Sequence, residues 1–176
     1  MFCTMKTRIT RPWRAVLPAA IGLLLTACTY DAPLVTQATI PIDPAVLGVW
    51  QAADDESDGA PARMVILPFS PTEYLVHYPT ALDDSMYFRG YAIQVAGISC
   101  VQLELLGSHR GRETGKDRYQ VAQYALTGDK LEIRTLNDAV VSAELSGTAA
   151  LHEAVQKNAS HPDLFNEPGV FVRVAR

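Results

Sequence analysis

The sequence predicts a mainly β protein: about eight antiparallel strands closing into a barrel, with one helix before the last strand. Three observations predict it. Eight short runs carry period-2 alternation or β-branched and aromatic content, turn residues separate them at regular spacing, and one stretch of helical period appears late. The runs are 46–50, 63–68, 73–78, 86–95, 99–105, 118–126, 130–136 and 171–174. Within them Tyr74, Val76 and Tyr78 alternate against Glu73, Leu75 and His77, and Val101, Leu103 and Leu105 against Cys100, Gln102 and Glu104. Such alternation sends the two sets to opposite faces of a sheet. Residues 51–62 are acidic and loop-like with a turn at Asp58-Gly59, and Thr127-Gly128-Asp129 fits a tight hairpin turn. Residues 107–117 read as a charged loop containing Gly107, Gly111 and Gly115, and 137–141 as a single extra turn. Residues 146–158 place Leu151, Ala154, Val155 and Asn158 on one helical face, with Ser146 or Thr148 as the cap. A helix this short persists only through tertiary packing, so its Leu151/Val155 stripe is expected against the barrel as a lid or plug. Sequential strands favour a closed meander, which removes sheet edges; a β-sandwich is the alternative.

The N-terminus has a different character. Lys6, Arg8, Arg11 and Arg14 precede an apolar run from Ala15 to Leu25, and no acid occurs before Asp31. A basic n-region, a short apolar h-region and a small residue at the cut make a secretory signal peptide. The apolar run is shorter than the roughly 20 residues a spanning helix needs, and Pro18 interrupts it. It closes on Leu25-Thr26-Ala27-Cys28, which resembles the lipobox of bacterial lipoproteins. That resemblance implies cleavage before Cys28, a diacylglycerol on its thiol and a further acyl chain, palmitate-labelled, on its amino group. Thr29 in place of Asp implies the periplasmic face of the outer membrane as the destination. Two or more acyl chains anchor a protein stably without spanning the bilayer. Met5 is an alternative start, which would remove Cys3 from the product.

Three segments follow: residues 1–27 as signal peptide, 28–44 as an extended tether with Pro33, Pro41 and Pro44, and 45–176 as the β domain. Cleavage leaves 149 residues, the size of one domain. The four n-region cations leave too, so eleven of the 15 Lys and Arg face all 19 Asp and Glu, a net charge of −8. That balance argues against nucleic acid as a partner and against a polybasic reader of lipids, both of which need clustered cations. With Cys3 discarded and Cys28 lipidated, Cys100 is the one thiol left, so no internal disulfide is available and an apolar core must supply stability.

Chemical motifs fail at specific positions. Asp54 to Gly59 begins like a calcium loop, but the twelfth position, which needs a bidentate Glu, is Val65. Gly111 to Asp117 is one residue short of a phosphate loop and has Asp where the Mg²⁺-binding hydroxyl belongs. His152-Glu153 starts like a zinc-peptidase helix, yet Gln156 occupies the second His position. His77, His109, His152 and His161 show no ligand spacing, and no cofactor or metal is expected. Cys100 sits mid-strand without a neighbouring cation to lower its pKa, as a packed, inert thiol would. Tyr74, Tyr78, Tyr87, Phe88 and Tyr91 crowd into eighteen residues. They are either ordinary strand filling or, with Leu151, the lining of a ligand cavity.

Gly48-x-Trp50 just inside the first strand, a meander, and a helix before the final strand are similar to the lipocalin-like (calycin) barrels. The resemblance extends to small bacterial lipoproteins with such a domain and no assigned activity. It implies a binding or interaction barrel: a carrier of a lipid or small apolar ligand, or a filled module that contacts an envelope protein. An enzyme is the third and weakest reading, because the motifs supply no constellation of nucleophile, base and oxyanion donors.

Overall fold

The computed structural model describes residues 29–53, 63–81 and 84–175. A 3-10 turn at Pro44–Val46 leads into β1 (Gly48–Ala52), followed by β2 (Arg63–Ser70), β3 (Glu73–Ala81), β4 (Asp84–Val95) and β5 (Ile98–Ser108). Next come the two-residue β6 (Gly111–Arg112), β7 (Tyr119–Thr127), β8 (Lys130–Thr135), α1 (Thr148–Lys157) and β9 (Gly169–Ala175). All pairings are antiparallel, in the order β4-β3-β2-β1-β9-β8-β7-β5. A long β4–β5 ladder from Met86↔Ser108 to Val95↔Ile98 joins the ends, so eight strands form a closed ring. This is a lipocalin-like arrangement, with the helix directly before the closing strand. The hairpin expected around Gly128 is a two-residue turn between Thr127 and Lys130, with Gly128 at φ 60°, where a side chain would be strained.

Period-2 alternation assigns the faces. Trp50, Met64, Ile66, Tyr74, Val76, Phe88, Leu131 and Phe171 are buried together, with Leu103, Leu105, Tyr124 and Ile133 packed against them. All eight ring strands contribute, so this cluster is the barrel interior. Gly90 lies on the same face, where an added Cβ would come within 2.8 Å of the Leu103 side chain. At the barrel end near the 3-10 turn, Arg173 lies 4.0 Å over the Trp50 ring, whose indole N–H donates to Val46 O. The Arg173 guanidinium donates to Leu47 O at 2.6 Å, to Ala45 O and to Asp129 Oδ1 at 3.1 Å, which fastens β9 to the entry of β1 and the β7–β8 turn.

The intervening residues of β4, β5 and β7 build a second core on the outside of the wall. Tyr91, Ile93, Val95, Cys100 and Val121 are buried there beneath Tyr30, Leu34, Leu136, Val141, Leu151, Val155 and Leu164. The helix packs through Leu151 and Val155 as its period predicts, but on the outer wall. The lid or plug assignment is therefore corrected: the helix stripe answers the apolar outward residues of β4, β5 and β7. Its N-cap is Gly147 at φ 85° with no side-chain cap bond, not Ser146 or Thr148. Those two hydroxyls turn to the N-terminal segment, Ser146 to Asp31 Oδ2 and Thr148 to Pro33 O.

The segment read as a tether is also corrected. Tyr30 is fully buried, exchanges both backbone hydrogen bonds with Tyr119 and donates its hydroxyl to Val141 O at 2.9 Å. Leu34 is buried as well, so this stretch is a strap laid along the wall. Its apolar residues answer the second core, which the proline content concealed. In 107–117, β5 continues to Ser108 and Gly111–Arg112 pairs back on it, a short ladder where a loop was expected. Residues 137–141 form the expected turn, with the Val140 and Val141 amides both donating to Asn137 O.

Candidate functional site

The interior is the first place to look for a ligand. Inward side chains of the eight strands nearly fill it and leave a cavity of about 70 Å³ lined by Val46, Met64, Ile66, Tyr74, Leu103, Tyr124 and other apolar groups. An engineered apolar cavity of roughly 150 Å³ holds benzene, and ligand pockets run from about 300 Å³ upward. Two tyrosines, Tyr74 and Tyr124, are among its lining residues. Tyr74 Oη accepts the Asp43 amide at 2.6 Å, and burial pushes the phenol pKa of both Tyr74 and Tyr124 upward. Neither is poised to ionise near neutrality.

The aromatic set suggested by the sequence does not converge. Tyr74 lines the cavity, and Tyr78 points the same way, edge-on to Phe171 at 6.2 Å. Tyr87 is on the outer surface, 42% exposed and against the His77 ring. Tyr91 and Leu151 belong to the second core. The pairs His77↔Tyr87 and Tyr74↔Gly90 show why: Tyr87 and Tyr91 share the face opposite to Tyr74. Cys28 and the Asp54–Gly59 acids lie outside the described residues.

Cys100 is 1% exposed beneath the strap, and burial pushes its thiol pKa up to about 12. Among the described residues no three His, Cys, Asp or Glu side chains come together as metal ligands. His109 and His161 are in exposed loops, His152 is on α1 and His77 stacks on Tyr87. No helix among the described residues is long and apolar enough to cross a membrane.

Two arrangements that sequence reasoning missed are on the outer wall. The fully buried Gln102 reads a backbone position as a neighbouring strand would: its Oε1 accepts the Val35 amide at 3.0 Å and its Nε2 donates to Val35 O at 3.1 Å. Nε2 also lies 2.5 Å from Tyr91 Oη, which itself donates to Val35 O. A buried amide in a strand is the signal, but naming its partner requires the fold. The second arrangement is a charge ladder across β3, β4, β5 and the approach to β7. Arg89 bridges Glu73 at 3.3 Å and Glu104 at 3.5 Å, and Arg118 meets Glu104 at 3.1 Å. The walls of β9, β1 and β2 carry neither strap nor ladder. Leu67 and Phe69 are 48% and 55% exposed there, and Val172 and Val174 are exposed on β9. Comparison with protein-family models, with curated proteins and with solved structures finds no match to this chain.

Proposed function

We propose that this chain is a lipid-anchored envelope lipoprotein whose barrel is an interaction module with a filled interior that contacts an envelope protein through its outer surface. The observation that carries this reading is the interior: side chains from all eight strands leave about 70 Å³, too little for a lipid or even a benzene-sized molecule. Recognition is then external, and the exposed Leu67 and Phe69 on β2 and Val172 and Val174 on β9 are apolar groups available to a partner. The anchor part rests on the basic n-region, the apolar run and the lipobox-like Leu25-Thr26-Ala27-Cys28. Native mass spectrometry of protein purified from membranes tests both halves. The expected spectrum shows the acyl mass on Cys28 and no second molecule retained. Stoichiometric retention of a lipid would restore the carrier reading and overturn the filled module. Palmitate labelling that survives Cys28→Ser would overturn the anchor.

A further inference from the structure

The strap fixes where the chain leaves the barrel. Tyr30 is fully buried, with its amide donating to Tyr119 O at 2.7 Å and its carbonyl accepting the Tyr119 amide at 3.1 Å. Cys28 is two residues earlier, a reach of at most about 7 Å. A barrel attached so closely cannot swing free of an anchor at Cys28, and whatever surrounds Tyr30 and Tyr119 meets the anchoring surface. The exposed residues 109–117 end two residues before Tyr119, and the intervening Arg118 O is itself pinned by the Leu105 amide at 2.8 Å. Arg110, Arg112, Lys116 and Arg118 lie in this stretch, four of the eleven Lys and Arg that follow Cys28, against Glu113 and Asp117. In a chain with a large acidic excess, the cations thus gather beside the exit point. The adjoining acid is occupied: Asp31 accepts from the Gly147 amide at 3.2 Å and the Ser146 hydroxyl at 2.9 Å. These two bonds, with Lys116 close enough to contribute, hold the Asp31 carboxyl below its usual range.

We propose that the 109–118 segment lies on the anchoring bilayer and binds anionic lipid headgroups, so that the barrel is held in one orientation at the membrane surface. The inference rests on acylation of Cys28. Arg and Lys near an anionic leaflet are attracted within a Debye length of about 8–10 Å, the same scale as the two-residue link. Arg118 is engaged by Glu104, which leaves Arg110, Arg112 and Lys116 as the groups for headgroup phosphates.

The test uses the full acylated protein reconstituted in vesicles containing phosphatidylglycerol, and in phosphatidylcholine vesicles for comparison. Thr114→Cys and, separately, Thr127→Cys carry an environment-sensitive fluorophore, and the vesicles carry a nitroxide-headgroup quencher. Cys100 is buried and stays unlabelled. Thr127 ends the strand that begins at Tyr119, roughly 26 Å along β7. Strong quenching at position 114 and little at 127 is expected on phosphatidylglycerol. The triple variant Arg110→Glu, Arg112→Glu, Lys116→Glu should cut the quenching at 114 by about half or more with an unchanged melting temperature. Equal quenching at both positions, or none at 114, in protein whose acyl group mass spectrometry confirms would overturn this inference and leave the anchor standing. Quenching at 114 that ignores both lipid charge and the triple variant would overturn the headgroup contact. An unmodified Cys28 would bring down the anchor and this inference together.

Discussion

Replacing Gln102 with Met should release the strap while leaving the barrel closed. The two side chains have similar length, so the effect is that of the amide. Gln102 satisfies both the N–H and the C=O of Val35 and reaches the Tyr91 hydroxyl. Tyr91 still donates to Val35 O in the variant, but the Val35 amide loses its acceptor under a wall of apolar side chains. An orphaned buried donor costs about 1–3 kcal/mol, and each further hydrogen bond lost about 0.5–1.5 kcal/mol. The loss is therefore about 2–6 kcal/mol, which in a domain of this size lowers the melting temperature by roughly 5–20 °C. Thermal melting by circular dichroism gives the magnitude, and amide hydrogen exchange gives the location. Exchange should accelerate in residues 30–38 first, because the barrel interior is a separate cluster that does not include them. A melting temperature within about 2 °C of the parent, with unchanged exchange in the strap, would refute the claim that Gln102 holds it.

Three other outcomes follow from the same geometry. Leu151→Ala should cost about 2–5 kcal/mol, seen as a lowered denaturation midpoint, because Leu151 is 1% exposed on the outer wall. Cys100 should react with a thiol reagent orders of magnitude more slowly in the folded protein than in denaturant, and fast labelling at neutral pH would contradict its burial. The fold also holds that thiol proton tightly. The unfolded chain releases it near pH 8.5, so the stability contributed is complete below that value and is lost as pH rises toward about 12, which Cys100→Ala should abolish in a pH-dependent melt.

The strands were legible because alternation is a local signal, and so were the Gly128 turn and the helix before β9. What the sequence did not reveal was that the wall has two buried faces. In 86–95 the apolar residues fall on both parities: Phe88 and Ala92 with the inward set, Tyr91, Ile93 and Val95 with the outward set. A run that is apolar on both faces is covered on both sides, which is the mark of an additional layer. Read with a single buried face in mind, the same residues suggest one aromatic cavity. The register sends Tyr87 and Tyr91 outward and leaves Tyr74 and Tyr78 inside. The strap was concealed for a different reason. Pro33, Pro41 and Pro44 are what a spacer contains, while its fastening to Gln102 and Tyr119 is non-local and becomes visible once β5 and β7 are adjacent.

The order of the ring gives these surfaces a consequence. From β5, which holds the strap through Gln102, β1 is four strands away in either direction around the barrel. The strap and helix therefore cover one side, and the uncovered apolar positions of β9, β1 and β2 occupy the other. Between them on one flank runs the ladder of Glu73, Arg89, Glu104 and Arg118, which keeps that boundary polar. With the anchor proposed for Cys28 and residues 109–118 on the bilayer, β7 would stand roughly along the membrane normal, and Leu67, Phe69, Val172 and Val174 would face sideways on the wall opposite the strap. A barrel whose interior is occupied by its own side chains has its outside for recognition. The wall left bare is also the one an anchor of two residues would keep within reach of a protein partner.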